Sequence, residues 1–362
     1  MTDLRWQFHP LGDWPQRSAD WDALNAAAGG LPFLESAFLT PLLAEFGDAG
    51  DTIAFARRGS RPVAAALLRR SGRAQWATVQ PSQLPLGPWL VLPGEDGAAA
   101  AASLLAQLPG LALGLGLTQL DPRLNARSAE APCASTLDYI PTAWVDVDGT
   151  FDAYWDGRGK NLRTNMRKQR SKLDADGVAL RFDSLRNAAD VAEAIAAYGR
   201  LETAGWKSGI GTAVHPDNAQ GRFYTAMLQN FCAQGRGRIW RLRFDDKVVA
   251  MDLCIEAGDT LVVLKTAFDP EYRSVSPAFL LRQDAFREVF DEGRLRRVEF
   301  YGRLMEWHTR WTEQSRTLYH ANVYRWALIP RLRRQWLRLA ARPGTAAPVS
   351  AAADAPSATP AA

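Results

Sequence analysis

Cysteine is scarce in this chain. Its 362 residues hold three, Cys133, Cys232 and Cys254, odd in number and widely spaced. That pattern gives neither a disulfide framework nor a metal-ligand spacing, and it fits a reducing compartment. Long apolar runs are also missing, since nothing approaches the ~18 residues of a membrane span. The start, Met1-Thr-Asp-Leu-Arg-Trp-Gln-Phe8, lacks the apolar core of a secretory signal. A cytoplasmic protein is therefore expected. The GxxxxGK phosphate loop is absent, and Gly157-Arg-Gly-Lys160 does not replace it. What remains is an ordinary globular composition, 47% hydrophobic and 23% charged with a net charge of +4, long enough for two domains with cores. Thirteen tryptophans read mainly as packing.

The segment from Thr260 to Trp311 carries the most information. Thr260-Leu-Val-Val-Leu-Lys-Thr-Ala-Phe268 reads as a mostly buried strand, and Asp269-Pro-Glu-Tyr-Arg-Ser-Val-Ser276 as a turn. Ser276 suits a helix cap and Pro277 the first helical position. Leu281, Ala285 and Val289, flanked by Phe279, Phe286 and Phe290, make the helix amphipathic. Arg297-Val-Glu-Phe-Tyr301 follows as a second strand. A helix start after a strand offers free N–H groups and a positive dipole end, which suits a phosphate.

Lys265-Thr-Ala-Phe-Asp-Pro-Glu-Tyr-Arg273, Ser276-Pro277, Glu299-Phe-Tyr-Gly-Arg303, Glu306-Trp307 and Arg310-Trp311 together resemble the BioF2-like acyltransferases. These belong to the GNAT (Gcn5-related N-acetyltransferase) superfamily, are also called the cellulose-biosynthesis CelD/BcsL type, and are relatives of the Fem peptidyltransferases. Gly205-Trp206-Lys207, Gly211-Thr-Ala213 and the basic segment near Arg163 are similar too. The resemblance is strongest over 150–325 and weaker at Pro32–Phe38. Many relatives carry Gly after the Ser-Pro, where this chain has Ala278.

The resemblance implies an α/β fold with tandem GNAT-like domains, helices packing on mixed, twisted sheets. It also implies an acyl-CoA co-substrate, acetyl-CoA or another, and no metal. The pantetheine arm would lie between strands 260–268 and 296–301, and the pyrophosphate on the turn formed by Tyr272, Arg273, Ser274, Val275, Ser276, Ala278 and Phe279. Arg273 supplies charge there, while Val275, Ser276, Ala278 and Phe279 supply N–H donors. Acyl transfer needs a base for the amine and an acid for the thiolate. Glu299 is the preferred base and Tyr301 the acid, with Tyr272 competing. Asp252, Lys265 and His308 are the further catalytic candidates. Asp252 and Lys265 each interrupt an apolar strand and read either as one ion pair or as a polar floor to the site.

For the acceptor, the candidates are Arg163, Arg167, Trp206, Lys207, Arg303, Trp307 and Trp311. Residues 157–172 hold seven basic residues and no acid. On a helix, Lys160, Arg163, Arg167 and Arg170 share a stripe opposite Leu162, Met166 and Leu173. That stripe is either a solvated face or a ridge for an anion. The glycine-rich segment 205–212 reads as a closing loop or a plain connection. Arg325–Arg342 has six arginines and no acid, with Leu328, Leu332, Trp336 and Leu339 at helical spacing. It reads as a docked terminal helix or as a contact with an anionic membrane.

The expected organisation is a degenerate GNAT-like domain at 1–145, a BioF2-like acyltransferase domain at 146–326, a basic amphipathic helix at 327–342 and a disordered tail at 343–362. The expected activity is acyl-CoA-dependent N-acyl transfer, of groups other than aminoacyl groups. The acceptor would be an anionic sugar, glycan intermediate or small metabolite, as in exopolysaccharide biosynthesis, with no DNA partner. The alternatives are Fem-like transfer from aminoacyl-tRNA and a non-catalytic scaffold of a polysaccharide-synthesis complex. Oligomeric state is not set by the sequence.

Overall fold

The computed structural model describes residues 4–204 and 214–330. Trp206 and Lys207, the segment 205–212 and everything beyond 330 lie outside the described residues. The chain divides into two compact units. Among the described residues, the first holds 4–36, 47–141 and 316–330. The second holds 37–46, 142–204 and 214–315.

The first unit begins with strand β1 (Arg5–Pro10) and helix α1 (Trp14–Ala27). An antiparallel run β2 (Thr52–Arg58), β3 (Arg61–Gly72) and β4 (Gln75–Thr78) follows, with β1 on β2 and the short β5 (Trp89–Val91) on β3. Helix α3 (Gly97–Gln107) then crosses to β6 (Gly114–Leu120), which lies parallel to β4. The last strand, β13 (Ser315–Tyr324), pairs with β6. Trp21 is fully buried and donates its indole N–H to Leu34 O at 2.7 Å. Helix α2 (Ser36–Phe46) leaves this unit for the other.

The second unit repeats the order. Strand β7 (Ala134–Asp146) enters from the boundary at Pro141/Thr142. Helices α4 (Phe151–Asp156) and α5 (Lys160–Ala175) and strand β8 (Leu180–Leu185) lead to α6 (Val191–Ala204) and α7 (Ala219–Ala233). Strands β9 (Gly237–Phe244), β10 (Lys247–Ala257) and β11 (Thr260–Phe268) form an antiparallel run, and α8 (Pro277–Glu292) crosses to β12 (Arg297–Glu299), parallel to β11. The sheet order is β7-β12-β11-β10-β9-β8. Helix α2 packs here through Phe38 on Phe223, with Glu45 paired to Arg222 at 2.6 Å. The division expected at 145/146 is thus redrawn: α2 goes to the second unit and β13 to the first, because each has its partner elements there.

Apolar residues fix which face each strand presents. Ala143, Val145, Trp240, Leu242, Cys254, Leu261, Val263 and Val298 face a core shared with Leu162 and Met166 of α5 and with Leu281, Ala285 and Phe286 of α8. Along β11 this alternation breaks. Cys254 pairs with Val263 but Leu253 pairs with Lys265, so Leu264 is an extra residue, a β-bulge. Past the bulge Lys265 faces α6 and α7, and Thr266 faces α8 beside Asp252.

The bulge separates two charges, the buried Asp252 and the half-buried Lys265. Asp252 and Lys265 do not pair with each other. Asp252, fully buried, bonds Arg282 of α8 at 2.5 Å, and the same guanidinium reaches Thr266 Oγ1 at 3.0 Å. Lys265 turns to Glu202 of α6 at 3.5 Å and lies over the Tyr224 ring. Removing one member of a buried pair strands the other charge, at a cost of about 3–5 kcal/mol. Asp252→Ala is therefore expected to lower the urea-unfolding free energy by that order, and Lys265→Met by much less. Equal losses in the two variants would refute the assignment of Asp252 to a structural pair.

Candidate active site

The parallel pair β11/β12 is short. Thr260, Leu261 and Val262 pair with Arg297, Val298 and Glu299, and β12 then stops while β11 runs on to Phe268. The next N–H of the departing chain, that of Phe300, goes to Ala143 O on β7 at 3.2 Å. The two strands thus part at Glu299, level with the bulge at Leu264. Past Glu299 no ladder pair joins their C-terminal ends, which leaves a wedge of unpaired backbone there.

The turn after β11 closes as a 3-10 segment, Pro270–Val275, and Ser276 takes a left-handed conformation with φ 53° before Pro277 starts α8. Tyr301, just past β12, is also left-handed at φ 52°. Non-glycine residues pay for that conformation, so the surrounding structure must hold them. Ser276 stands at the cap position, yet its side chain makes no cap hydrogen bond, which corrects the expected capping role. Two of the expected phosphate donors are spent: Ser276 N–H donates to Arg273 O at 3.1 Å and Phe279 N–H to Ser276 O at 3.0 Å. Among the described residues, Ala278 N–H has no acceptor outside the helix. Arg273 and Ser274 are exposed beside it. Tyr272 is half-buried, edge-on to Phe244 and under Lys247 Nζ, which packs its ring into the turn.

The equivalent places in the first unit are closed. The parallel pair β4/β6 also spans three residues, but Thr78 and Thr118 then bond through their hydroxyls at 2.5 Å. Gly87 lies against Thr118 O, where a Cβ would come within 2.2 Å. The start of α3 is capped by the Asp96 carboxylate, which accepts from Ala98 and Ala99 N–H. An anion is repelled there. In the second unit, by contrast, the parallel pairing ends at Glu299 and the first turn of α8 carries no acid.

Glu299 and Lys265 lie on the α6/α7 face of the wedge. Glu299 is 1% exposed and pairs with Arg297 at 3.7 Å. Lys265 sits three positions beyond Val262, the partner of Glu299, so the two Cα atoms are about 10 Å apart along the strands. Glu202, which holds Lys265, also accepts from Val214 N–H at 2.7 Å and from the Tyr198 hydroxyl at 3.4 Å. Burial, then the charge of Glu202, pushes the Tyr198 hydroxyl far above its usual range, so it stays a donor. Tyr301 is buried at the end of β12.

Several candidates fall elsewhere. Trp311 is 0% exposed and packs on Trp155, Phe279 and Phe286, which makes it a core residue and removes it from the acceptor site. Trp307, half-buried, stacks on His308 and on the Arg282 guanidinium. Arg303 is exposed. The ridge on α5 is partly neutralised by acids from outside its own sequence: Arg163 pairs with Asp156 at 3.1 Å, and Arg170 with Asp284 of α8 at 2.6 Å. Arg167, Lys160, Lys168 and Lys172 are exposed with no ion pair among the described residues. No group of three metal-ligating side chains occurs among the described residues.

His308 is buried on the short helix α9 (Glu306–Thr309), and its Nδ1 accepts from Met305 N–H at 2.9 Å. Burial, and next the Arg282 charge, push its pKa down to about 3. With Nδ1 accepting and the ring neutral, its proton sits on Nε2 and Nδ1 is not free to act as a base. The folded pKa lies below the usual 6.5, so only the unfolded chain takes up this proton in that window. The stability it contributes is complete above 6.5 and is lost as pH falls toward 3. His308→Gln is expected to flatten the fall of melting temperature between pH 6.5 and about 4, leaving the pH profile of turnover above 6.5 unmoved. A shifted turnover profile would restore His308 as a titrating catalytic group.

Residues 160–309 match the family profile described as acetyltransferase (GNAT) domain. No curated protein matches the chain. Among solved structures, the C-terminal domain (DUF2156) of a protein assigned as a lysylphosphatidylglycerol synthetase of Agrobacterium fabrum superposes with a TM-score of 0.55 at 13% identity, covering 90% of this chain and 96% of that one. FemX superposes with a TM-score of 0.53 at 9% identity, covering 87% and 98%. At such identities the likeness establishes the fold alone. Residues 160–309 are thus similar to a GNAT acetyltransferase domain, and the chain has a two-unit mixed α/β fold.

Proposed function

We propose that the GNAT domain is a working acyl-CoA-dependent N-acyltransferase of the BioF2-like kind, acting on an amine of a sugar, glycan intermediate or small metabolite. The observation that carries the reading is the contrast between the two units: the same strand–helix–strand order is sealed in the first and open in the second. The wedge fits an extended arm, and Ala278 N–H with the exposed Arg273 fits a pyrophosphate. The methyl of Ala278 leaves less room than the glycine of relatives. When bound, the thioester would supply an activated acyl carbonyl.

The chain's own groups then divide the work. Glu299 takes the proton of the incoming amine from the α6/α7 face. Lys265, steadied by Glu202, presents a positive charge to the oxygen on which negative charge builds. Tyr301 returns a proton to the departing sulfur. Asp252 and Arg282 support the floor from the opposite face.

Glu299→Gln keeps shape and removes basicity, so turnover is expected to fall by ~10²–10⁴-fold with little change in coenzyme A affinity. Arg273→Glu should do the reverse, weakening coenzyme A binding about tenfold or more, with the melting temperature unmoved. Calorimetric titration with coenzyme A and acetyl-CoA, beside steady-state kinetics, measures both. Full turnover in folded Glu299→Gln would sink the assignment of the base.

A second reading, aminoacyl transfer from charged tRNA, is favoured by the four unpaired cations of α5. It requires salt-sensitive tRNA binding and no affinity for coenzyme A. Tight coenzyme A binding with no tRNA binding eliminates it.

A further inference from the structure

Of the exposed large apolar side chains in the first unit, three lie on neighbouring segments, apart in sequence from Leu137 and Tyr139. Leu111 is 66% exposed, Trp326 57% and Leu328 61%. They share one place. Arg325, next to Trp326, donates its N–H to Leu113 O at 3.0 Å and its guanidinium to the carbonyls of Leu105 and Ala106. Arg70 reaches Pro109 O across the same loop, and Leu113 N–H bonds Ala74 O at 2.8 Å, which brings the exposed Arg73 alongside. The segments 69–75, 105–113 and 325–330 contain no Asp or Glu. The result is a surface of hydrogen-bonded neighbouring segments that carries three exposed apolar residues and the exposed Arg70, Arg73 and Arg325, with no acid among those segments.

That combination has a definite physical meaning. An apolar interface for a neutral protein surface would need no such arginines, and a solvated face would not expose a tryptophan and two leucines together. A tryptophan and leucines set among arginines match the boundary of a bilayer: the rings and methyls enter the acyl region while the guanidinium groups meet lipid phosphates. Each arginine near an anionic surface contributes about 1 kcal/mol. The sequence leaving the cluster at Pro330 adds five more arginines up to Arg342, again without an acid. No helix among the described residues is long and apolar enough to cross a membrane, so the contact would be peripheral. We infer that the surface formed by Leu111, Trp326 and Leu328, with Arg70, Arg73 and Arg325, docks on an anionic phospholipid bilayer. The inference does not rest on the acyl-transfer reading, since it uses residues of the other unit.

The test is co-sedimentation of the full-length protein with vesicles of phosphatidylcholine alone and of phosphatidylcholine mixed with phosphatidylglycerol, at low and high salt. The wild type should bind the mixed vesicles, lose binding in high salt, and ignore phosphatidylcholine. Trp326→Glu with Leu328→Glu should weaken binding roughly tenfold or more, because both exposed apolar groups are lost from the contact. Arg73→Glu should weaken it by several-fold while leaving melting temperature and turnover of a soluble acceptor unchanged. Binding unaffected by the double substitution would overturn the proposal, since the arginine-rich sequence after 330 would then suffice alone. Equal binding to both vesicle types would also overturn it. So would a wild-type dimer that the double substitution converts to monomer with no vesicle binding, since the cluster would then be an interface between copies of the chain.

Discussion

One extra residue organises the second unit. Leu264 interrupts the β10/β11 ladder, and everything charged near the wedge takes its side from that interruption. Before the bulge, Val263 faces the core under α8. After it, Lys265 faces Glu202 on α6, and Thr266 joins Asp252 and Arg282 beneath α8. The same interruption lies level with the point where β12 leaves β11. A single unpaired residue therefore puts the Asp252–Arg282 pair and the Lys265–Glu202 pair on opposite faces of the sheet, near the end of the β11/β12 pairing. The two halves of this arrangement need a rigid frame, and α8 receives one from Arg238. That guanidinium is fully buried and meets Glu256, Glu288 and Glu292 within 3.1 Å, which ties the sheet to the helix whose start forms the turn.

Much of the second unit was legible in the residues. The apolar runs of β10 and β11, the Ser-Pro start of α8 and the split of α5 into Leu162/Met166 and a basic face all follow from period and propensity. The charge pairing was not legible, because a bulge has no composition of its own in Val-Val-Leu-Lys and period-2 reasoning carries straight through it. His308 and Trp311 looked like loop residues because they follow a strand end. They are buried because the loop folds back as a helical turn onto Phe300 and Phe286. The partners of Arg163 and Arg170 were hidden for a different reason: Asp156 lies in a preceding helix and Asp284 more than a hundred positions away. The short β5 and the first strand β1 gave too little periodicity to be read.

The comparison between the two units gives functional weight that neither has alone. Both reach a parallel pair of strands through a crossing helix, and both pairs are three residues long. In the first, a threonine pair, a glycine without room for a side chain and an aspartate cap fill the places that are open in the second. Topology supplies the opportunity for a site, and a few side chains decide whether it exists. This is why the family likeness, which fixes the fold, does not by itself distribute roles among residues.

The exchange of α2 and β13 has a consequence for how the chain can be made. Strand β6 is complete by Leu120, yet the neighbour that covers its free edge, β13, does not exist until residues 315–324 have been synthesised. Conversely, α2 is among the earliest elements made, while the helix it packs on, α7, ends at Ala233. A ribosome delivers residues in order, but this architecture accepts them out of order. The early half must keep an open strand edge and an apolar helix from straying for most of translation. The first unit is thus the later of the two to have all its strands, although it begins the chain.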